Sequence, residues 1–182
     1  MRVGVFCGAS RGFDPRFTAV TQETARAIAA RGYGIVYGGG RVGLMGVLAD
    51  AALEAGCEVI GVIPSALAGA EIAHDGVTHL HVVGSMHERK ALMERLSDAF
   101  VALPGGYGTL DEFSEILTWA QLGIHAKPLA LLNSEGFFDQ LLALFDRMVR
   151  EGFVTPESRA LVYASDRIAD ILDRFASVKV TG

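Results

Sequence analysis

Short apolar runs alternate with amphipathic stretches along the whole of this chain, and most of the junctions between them are rich in glycine. Residues 3–7, 34–37, 58–63, 100–103, 129–132 and 161–163 read as strands, with 79–83 a further candidate. Helical spacing of apolar residues occupies 15–31, 47–55, 86–96, 109–122, 137–150 and 166–175, with a short turn or helix from Pro156. Strands that are apolar throughout must be covered on both sides. Strands that alternate with helices are joined by crossovers, and so run parallel. The expected fold class is therefore α/β: a Rossmann-like, doubly wound parallel sheet with helices on both faces. At 182 residues and 51% hydrophobic, the chain has the mass for one full core. A single domain over 1–182 is expected, with 176–182 a frayed tail.

In such a sheet, ligands sit beyond the carboxyl ends of the strands, near the point where strand order reverses. The loop at 104–109 has the composition for this. Pro104 ends the apolar run 100–103, because it cannot donate to a ladder. Gly105, Gly106 and Gly108 permit a tight turn and a close backbone approach. A helix follows from Thr109, with Leu110, Phe113, Ile116, Leu117 and Ala120 at helical spacing. Strand, glycine loop and helix start together present free N–H groups and a positive dipole end, a seat for phosphate over Gly105, Gly106, Tyr107, Gly108 and Thr109. Glu112 lies about one turn into that helix. A second reading stays open here: Thr109-x-x-Glu112 is also a capping box, with Thr109 capping and Glu112 bonding back.

Two more loops follow strand ends. Gly8-Ala9-Ser10-Arg11-Gly12 carries a hydroxyl and a cation, and Asp14-Pro15 after it reads as an N-cap with Pro in the first helical position. Gly38-Gly39-Gly40-Arg41-Val42-Gly43 holds three consecutive glycines, which suggests backbone that must approach something closely. The dinucleotide fingerprint fits only in part. This is not the first strand–helix turn, and no acid ends the next strand, so NAD and FAD are disfavoured. Ser85-x-x-Glu88 is a capping box opening the helix 86–96. Arg89 and Lys90 in its first turns are cations where a helix start disfavours them. Neighbouring carboxylates, a solvated face or a bound phosphate would each explain them.

A net charge of −5 argues against a nucleic-acid surface. Cys7 and Cys57 form neither C-x-x-C nor a zinc pattern, and read as buried thiols in a reducing compartment. His74, His79 and His81 lack a nearby carboxylate pair, so no metal site is expected. The loop 65–78, with Glu71, His74 and Asp75, is long enough to be mobile or functional. The chain opens on an apolar strand, unlike a signal peptide. No apolar run approaches the ~18 residues of a membrane span. A soluble cytoplasmic protein is the expectation.

With these residues laid out, the chain resembles the LONELY GUY (LOG) family, the cytokinin riboside 5′-monophosphate phosphoribohydrolases. The resemblance covers nearly the whole chain. It rests on P-G-G-Y-G-T-L-D-E at 104–112 and M-H-E-R-K at 86–90, with Y-G-G-G-R-V-G-L-M-G at 37–46 and T-W-A-Q-L-G at 118–123. C-G-A-S at 7–10 is close to the family's C-G-S-S, with Ala9 in place of a serine. The resemblance implies hydrolysis of the N-glycosidic bond of an N6-substituted AMP, or of AMP itself, to the free base and ribose 5-phosphate. It implies Arg89 and Glu112 as the catalytic pair. Lys90, Gly106 to Thr109, Thr118 and Glu71 would contact the nucleotide, with Ser10 and Gly105 beside them in the anion loops. No cofactor is implied. The implied partners are a small nucleotide substrate and further copies of this chain, as a homodimer or larger homo-oligomer, with neither nucleic acid nor membrane.

Proteins of this family have carried the label lysine decarboxylase. That chemistry ordinarily needs pyridoxal phosphate on a lysine. The only lysines are Lys90, Lys127 and Lys179: one on the phosphate-facing helix, one before a strand and one in the tail. The competing classes are a non-catalytic nucleotide sensor with the same pocket and a nucleotide hydrolase of different base preference.

Overall fold

Seven parallel strands form one sheet in the order β4-β3-β2-β1-β5-β6-β7 in a computed structural model that describes residues 1–69 and 72–178. The strands are β1 (Arg2–Phe6), β2 (Gly34–Tyr37), β3 (Val59–Pro64), β4 (His79–Val83), β5 (Ala99–Ala102), β6 (Leu129–Leu132) and β7 (Val162–Ser165). The helices are α1 (Pro15–Ala30), α2 (Gly43–Glu54), α3 (Met86–Leu96), α4 (Tyr107–Gln121), α5 (Asp139–Arg150), the short α6 (Pro156–Arg159) and α7 (Ile168–Ser177).

Strand residues alternate between two cores. Val3, Val5, Ile35, Val59 and Val101 face α1, α2 and α7, whose Ile28, Leu48 and Ile171 close that layer. Phe6, Val36, Ile60, Val62 and Phe100 face the other way, against Met93 of α3 and Phe113 and Ile116 of α4. Burying each such side chain fully is worth about 1.5–3 kcal/mol. The doubly wound expectation is met. β4 is one of the two edge strands and is largely solvated, with His79, His81 and Val82 exposed.

The chain lays β1 to β4 outward on one side, then returns through α3 to place β5 beside β1. The strand-order switch therefore falls between β1 and β5, and their terminal loops part there. The two loops touch: Gly8 N–H donates to the Pro104 carbonyl at 3.3 Å.

Several expected boundaries shift, for local reasons. α4 starts at Tyr107 and not at Thr109, with Gly106 as N-cap and no side-chain cap. The Thr109–Glu112 capping box is thus absent, because both residues lie inside the helix. α2 starts at Gly43 and runs through Gly46. Gly43 has φ +64°, and a Cβ on it would lie 2.2 Å from the Ala9 carbonyl carbon, so only glycine lets these two loops meet. Residues 134–138 make a 3₁₀ turn and a lead-in before α5, where the sequence suggests one helix from Phe137. Ala176 and Ser177, expected in the frayed tail, continue α7 behind the buried Phe175, while residues 179–182 lie outside the described residues. Among the described residues no helix is long and apolar enough to cross a membrane.

Candidate active site

The carboxyl ends of β1, β2, β3 and β5 surround a cavity of about 590 Å³. Its floor is a buried ion pair. Arg89 comes from α3 and Glu112 from α4, and Arg89 Nη2 stands 3.0 Å from Glu112 Oε1. Arg89 also donates through Nε to the Val62 carbonyl at 3.1 Å and through Nη2 to the Gly38 carbonyl at 3.4 Å. The guanidinium is thereby fixed from β3, β2 and α4 at once. The reason for Arg89 in an early turn of α3 is Glu112, and for Lys90 it is Asp111 and Glu115, at 3.0 and 2.7 Å. Both cations are satisfied by carboxylates of α4. Ser85 caps α3 by accepting from Glu88 N–H at 3.1 Å. The Glu88 carboxylate returns one residue beyond the expected box, to Gly84 N–H.

The glycine run at 38–40 has a cause that the sequence reading missed. A Cβ on Gly38 would lie 1.9 Å from Arg89 Nη2, and one on Gly40 would lie 2.8 Å from Met45 Cε. These glycines make room for the protein's own side chains, Arg89 above all. The loop expected to be mobile or functional is partly tied down. Arg41 N–H donates to the Ile72 carbonyl, His74 N–H donates to the Gly39 carbonyl, and Gly40 bridges Ala73. That pinning sets Ile72 beside Met45, Ile63 and Leu67 as an apolar wall of the cavity.

Gly105, Gly106, Tyr107, Gly108 and Thr109 line the same space, as does Ser10. The first N–H groups of α4 have no carbonyl one turn back, and Gly106 offers no side chain to cap them, so they are open to an anion. Thr109 is buried against Gly105.

Burial pushes the Glu112 carboxyl up to about 7, with Arg89 opposing the rise. A carboxyl in the second turn no longer lies among the free N–H groups of the helix start, so the dipole does not hold it ionised. Glu112 therefore sits where it can exchange a proton near neutrality. Burial likewise raises the Cys7 thiol at the cavity edge, well above the ordinary thiol range, and makes it a poor nucleophile.

Two residues implied as nucleotide contacts lie outside the cavity lining. Lys90 is engaged with Asp111 and Glu115. Thr118 is on the exposed side of α4 and bonds the Ser114 carbonyl. Glu71 lies outside the described residues. Lining residues that the sequence did not single out are Leu67, Ile72, Phe17 and Phe137. Ordinary apolar residues carry no mark of lining a pocket. Among the described residues no group of His, Cys, Asp and Glu could hold a metal ion.

The curated relatives share more than the fold. A family described as "possible lysine decarboxylase" matches residues 45–175. The chain is 53% identical over 160 residues to a probable cytokinin riboside 5′-monophosphate phosphoribohydrolase of rice, LOGL9, covering 88% of this chain and 70% of that one. It is 51% identical to the cytokinin riboside 5′-monophosphate phosphoribohydrolase of Rhodococcoides fascians, covering 88% and 81%. It is 44% identical to the enzyme LOG1 of Arabidopsis thaliana, covering 95% and 81%. The chain belongs to the LOG family. Among solved structures it is similar in fold to a molybdenum cofactor binding protein from Rippkaea orientalis, with TM-score 0.73, 23% identity and coverage of 97% and 95%. The molybdenum cofactor carrier protein of Chlamydomonas reinhardtii is similar too, with TM-score 0.72, 22% identity and coverage of 97% and 98%.

The decarboxylase description does not suit this LOG-family site. Neither Lys90 nor Lys127 lines the cavity, and both are tied to carboxylates, Lys127 to Glu94. An amine held this way is poorly placed to form a Schiff base. Lys179 lies outside the described residues.

Proposed function

We propose that this protein hydrolyses the N-glycosidic bond of an N6-substituted AMP, of the cytokinin riboside 5′-monophosphate kind, releasing the free base and ribose 5-phosphate. The observation that carries this reading is the buried Arg89–Glu112 pair sharing one cavity with an open helix start and a set of apolar residues, in a chain of the LOG family. The 5′-phosphate sits on the N–H groups at the start of α4. Ribose lies over Glu112, and the base extends toward Met45, Ile63, Leu67 and Ile72. An apolar wall there favours an alkyl substituent on the base over bare AMP.

Breaking the bond leaves positive charge on the ribose ring, as in other glycoside cleavage. The Glu112 carboxylate stabilises that charge and accepts a proton from the attacking water. Water oxygen bonds to the anomeric carbon. The electron pair of the broken bond leaves with the base, which takes up a proton from solvent, while Glu112 later returns its proton to solvent. Arg89 holds Glu112 in place and opposes its protonation. Phosphate binding away from the reacting bond positions the substrate.

We place the protein in the cytoplasm, consistent with two buried free thiols, and as a homo-oligomer, consistent with Leu122 and Ile124 standing 68% and 62% exposed after α4. The test of function is product analysis by chromatography after incubation with N6-isopentenyl-AMP and, separately, AMP. Free base and ribose 5-phosphate are expected, faster from the N6-substituted nucleotide. Binding of both nucleotides without turnover of either would point to a sensor and overturn the assignment.

A further inference from the structure

Three charged side chains line the cavity among the described residues: Arg11, Arg89 and Glu112. When Glu112 is ionised, it and Arg89 neutralise one another at 3.0 Å, so the ionised pair brings little net charge to a ligand. A nucleoside 5′-monophosphate nevertheless carries a phosphate of charge near −2 at neutral pH. The N–H groups at the start of α4 supply hydrogen bonds and a partial charge equivalent to about +0.5. Something else must balance the remainder.

We infer that Arg11 is the charge partner of the substrate's 5′-phosphate and gives the site its selectivity for phosphorylated over unphosphorylated nucleosides. This inference rests on the phosphoribohydrolase reading above. The loop that carries Arg11 is packed on the phosphate seat. Gly8 donates to Pro104, and a Cβ on Gly105 would stand 2.9 Å from Gly8 N. Ser10, next to Arg11, lines the seat with Gly105 and Thr109. Arg11 is exposed and makes no ion pair among the described residues. Its neighbour Arg16 is already held by Asp14 and Glu135, and Lys90 by Asp111 and Glu115. Arg11 is thus the lining cation left to meet an anion. A guanidinium suits this task, because its fork of donors matches two phosphate oxygens at once. A long exposed side chain also reaches over a bound phosphate without having to be pre-formed in the empty site.

The test compares the intact protein with Arg11→Gln and Arg11→Lys. Calorimetric titration with ribose 5-phosphate reads the seat independently of turnover. Arg11→Gln is expected to weaken ribose 5-phosphate about tenfold, the size of one lost charge-assisted hydrogen bond. It should raise KM for N6-isopentenyl-AMP by a similar factor, with the loss on KM and not on kcat. Arg11→Lys should recover most of both. Affinity for the unphosphorylated N6-isopentenyladenosine should stay within about twofold. Unchanged ribose 5-phosphate affinity in Arg11→Gln would overturn the inference, as would an equal loss for the nucleoside. A wild-type protein that binds ribose 5-phosphate through Arg11 but hydrolyses no nucleotide would instead overturn the catalytic reading and leave this one standing.

Discussion

Glu112 is a group whose chemistry burial has changed. Its carboxyl, ordinarily near 4.5, is pushed up to about 7. In the proposed mechanism the ionised form stabilises a ribose cation and takes a proton from water, so kcat/KM should rise with pH through about 7 and level off above it. A rate that falls through that value would assign Glu112 the opposite role, as the acid that protonates the leaving base. The same shift bears on stability. Between 4.5 and about 7 the native state keeps a proton that the unfolded chain has released, so the contribution of Glu112 to stability declines as pH rises across that window. Thermal melts from pH 5 to 8 should show this slope, and Glu112→Gln should flatten it. Gly38 shows the reverse case, a residue whose role is an absence. Its missing Cβ is the space that the Arg89 guanidinium occupies.

At the scale of elements, α3 and α4 form one device. α3 is the crossover that returns the chain from β4 to β5, and on the way it carries Arg89 under the ends of β2 and β3. α4 starts at the glycine loop and meets α3 through three carboxylates, Asp111, Glu112 and Glu115. The start of α3 is set by Ser85, so losing that cap should cost about 1 kcal/mol. Ser85→Ala should lower Tm by about 2–4 °C, and Ser85→Asp, which restores an acceptor, should not. An unchanged melting temperature in Ser85→Ala would mean that packing alone sets the helix start. Capping signals at Ser85 and Asp14 were legible because a side-chain acceptor marks them. α4 starts two residues before Thr109, where the sequence suggests it, because the N-cap residue Gly106 has no side chain to mark the start.

Over the whole molecule, the parallel sheet and the convergence of loops at its carboxyl edge follow from alternation and apolar runs. Sequence spacing cannot show which side chains meet across that edge. Lys90 follows Arg89 directly, yet it bonds Asp111 and Glu115 outside the cavity, because successive helical residues point about 100° apart. The triple glycine, which by composition suggests a ligand approach, is in good part an accommodation of Arg89 and Met45. The apolar wall at Ile72 depends on a long-range pinning to Gly39 and Arg41, which no local pattern announces. The proposed function implies a separation of tasks across the assembled fold: the glycine loop holds phosphate, and the buried pair acts on the glycosidic bond. The measurement that tests this separation most directly is Glu112→Gln, assayed for turnover of N6-isopentenyl-AMP and for ribose 5-phosphate affinity in the same preparation. Turnover should fall about 10³-fold, in the range for a lost general base, while affinity stays within about threefold of wild type. Turnover within tenfold of wild type, or an affinity that falls in step with it, would contradict the account.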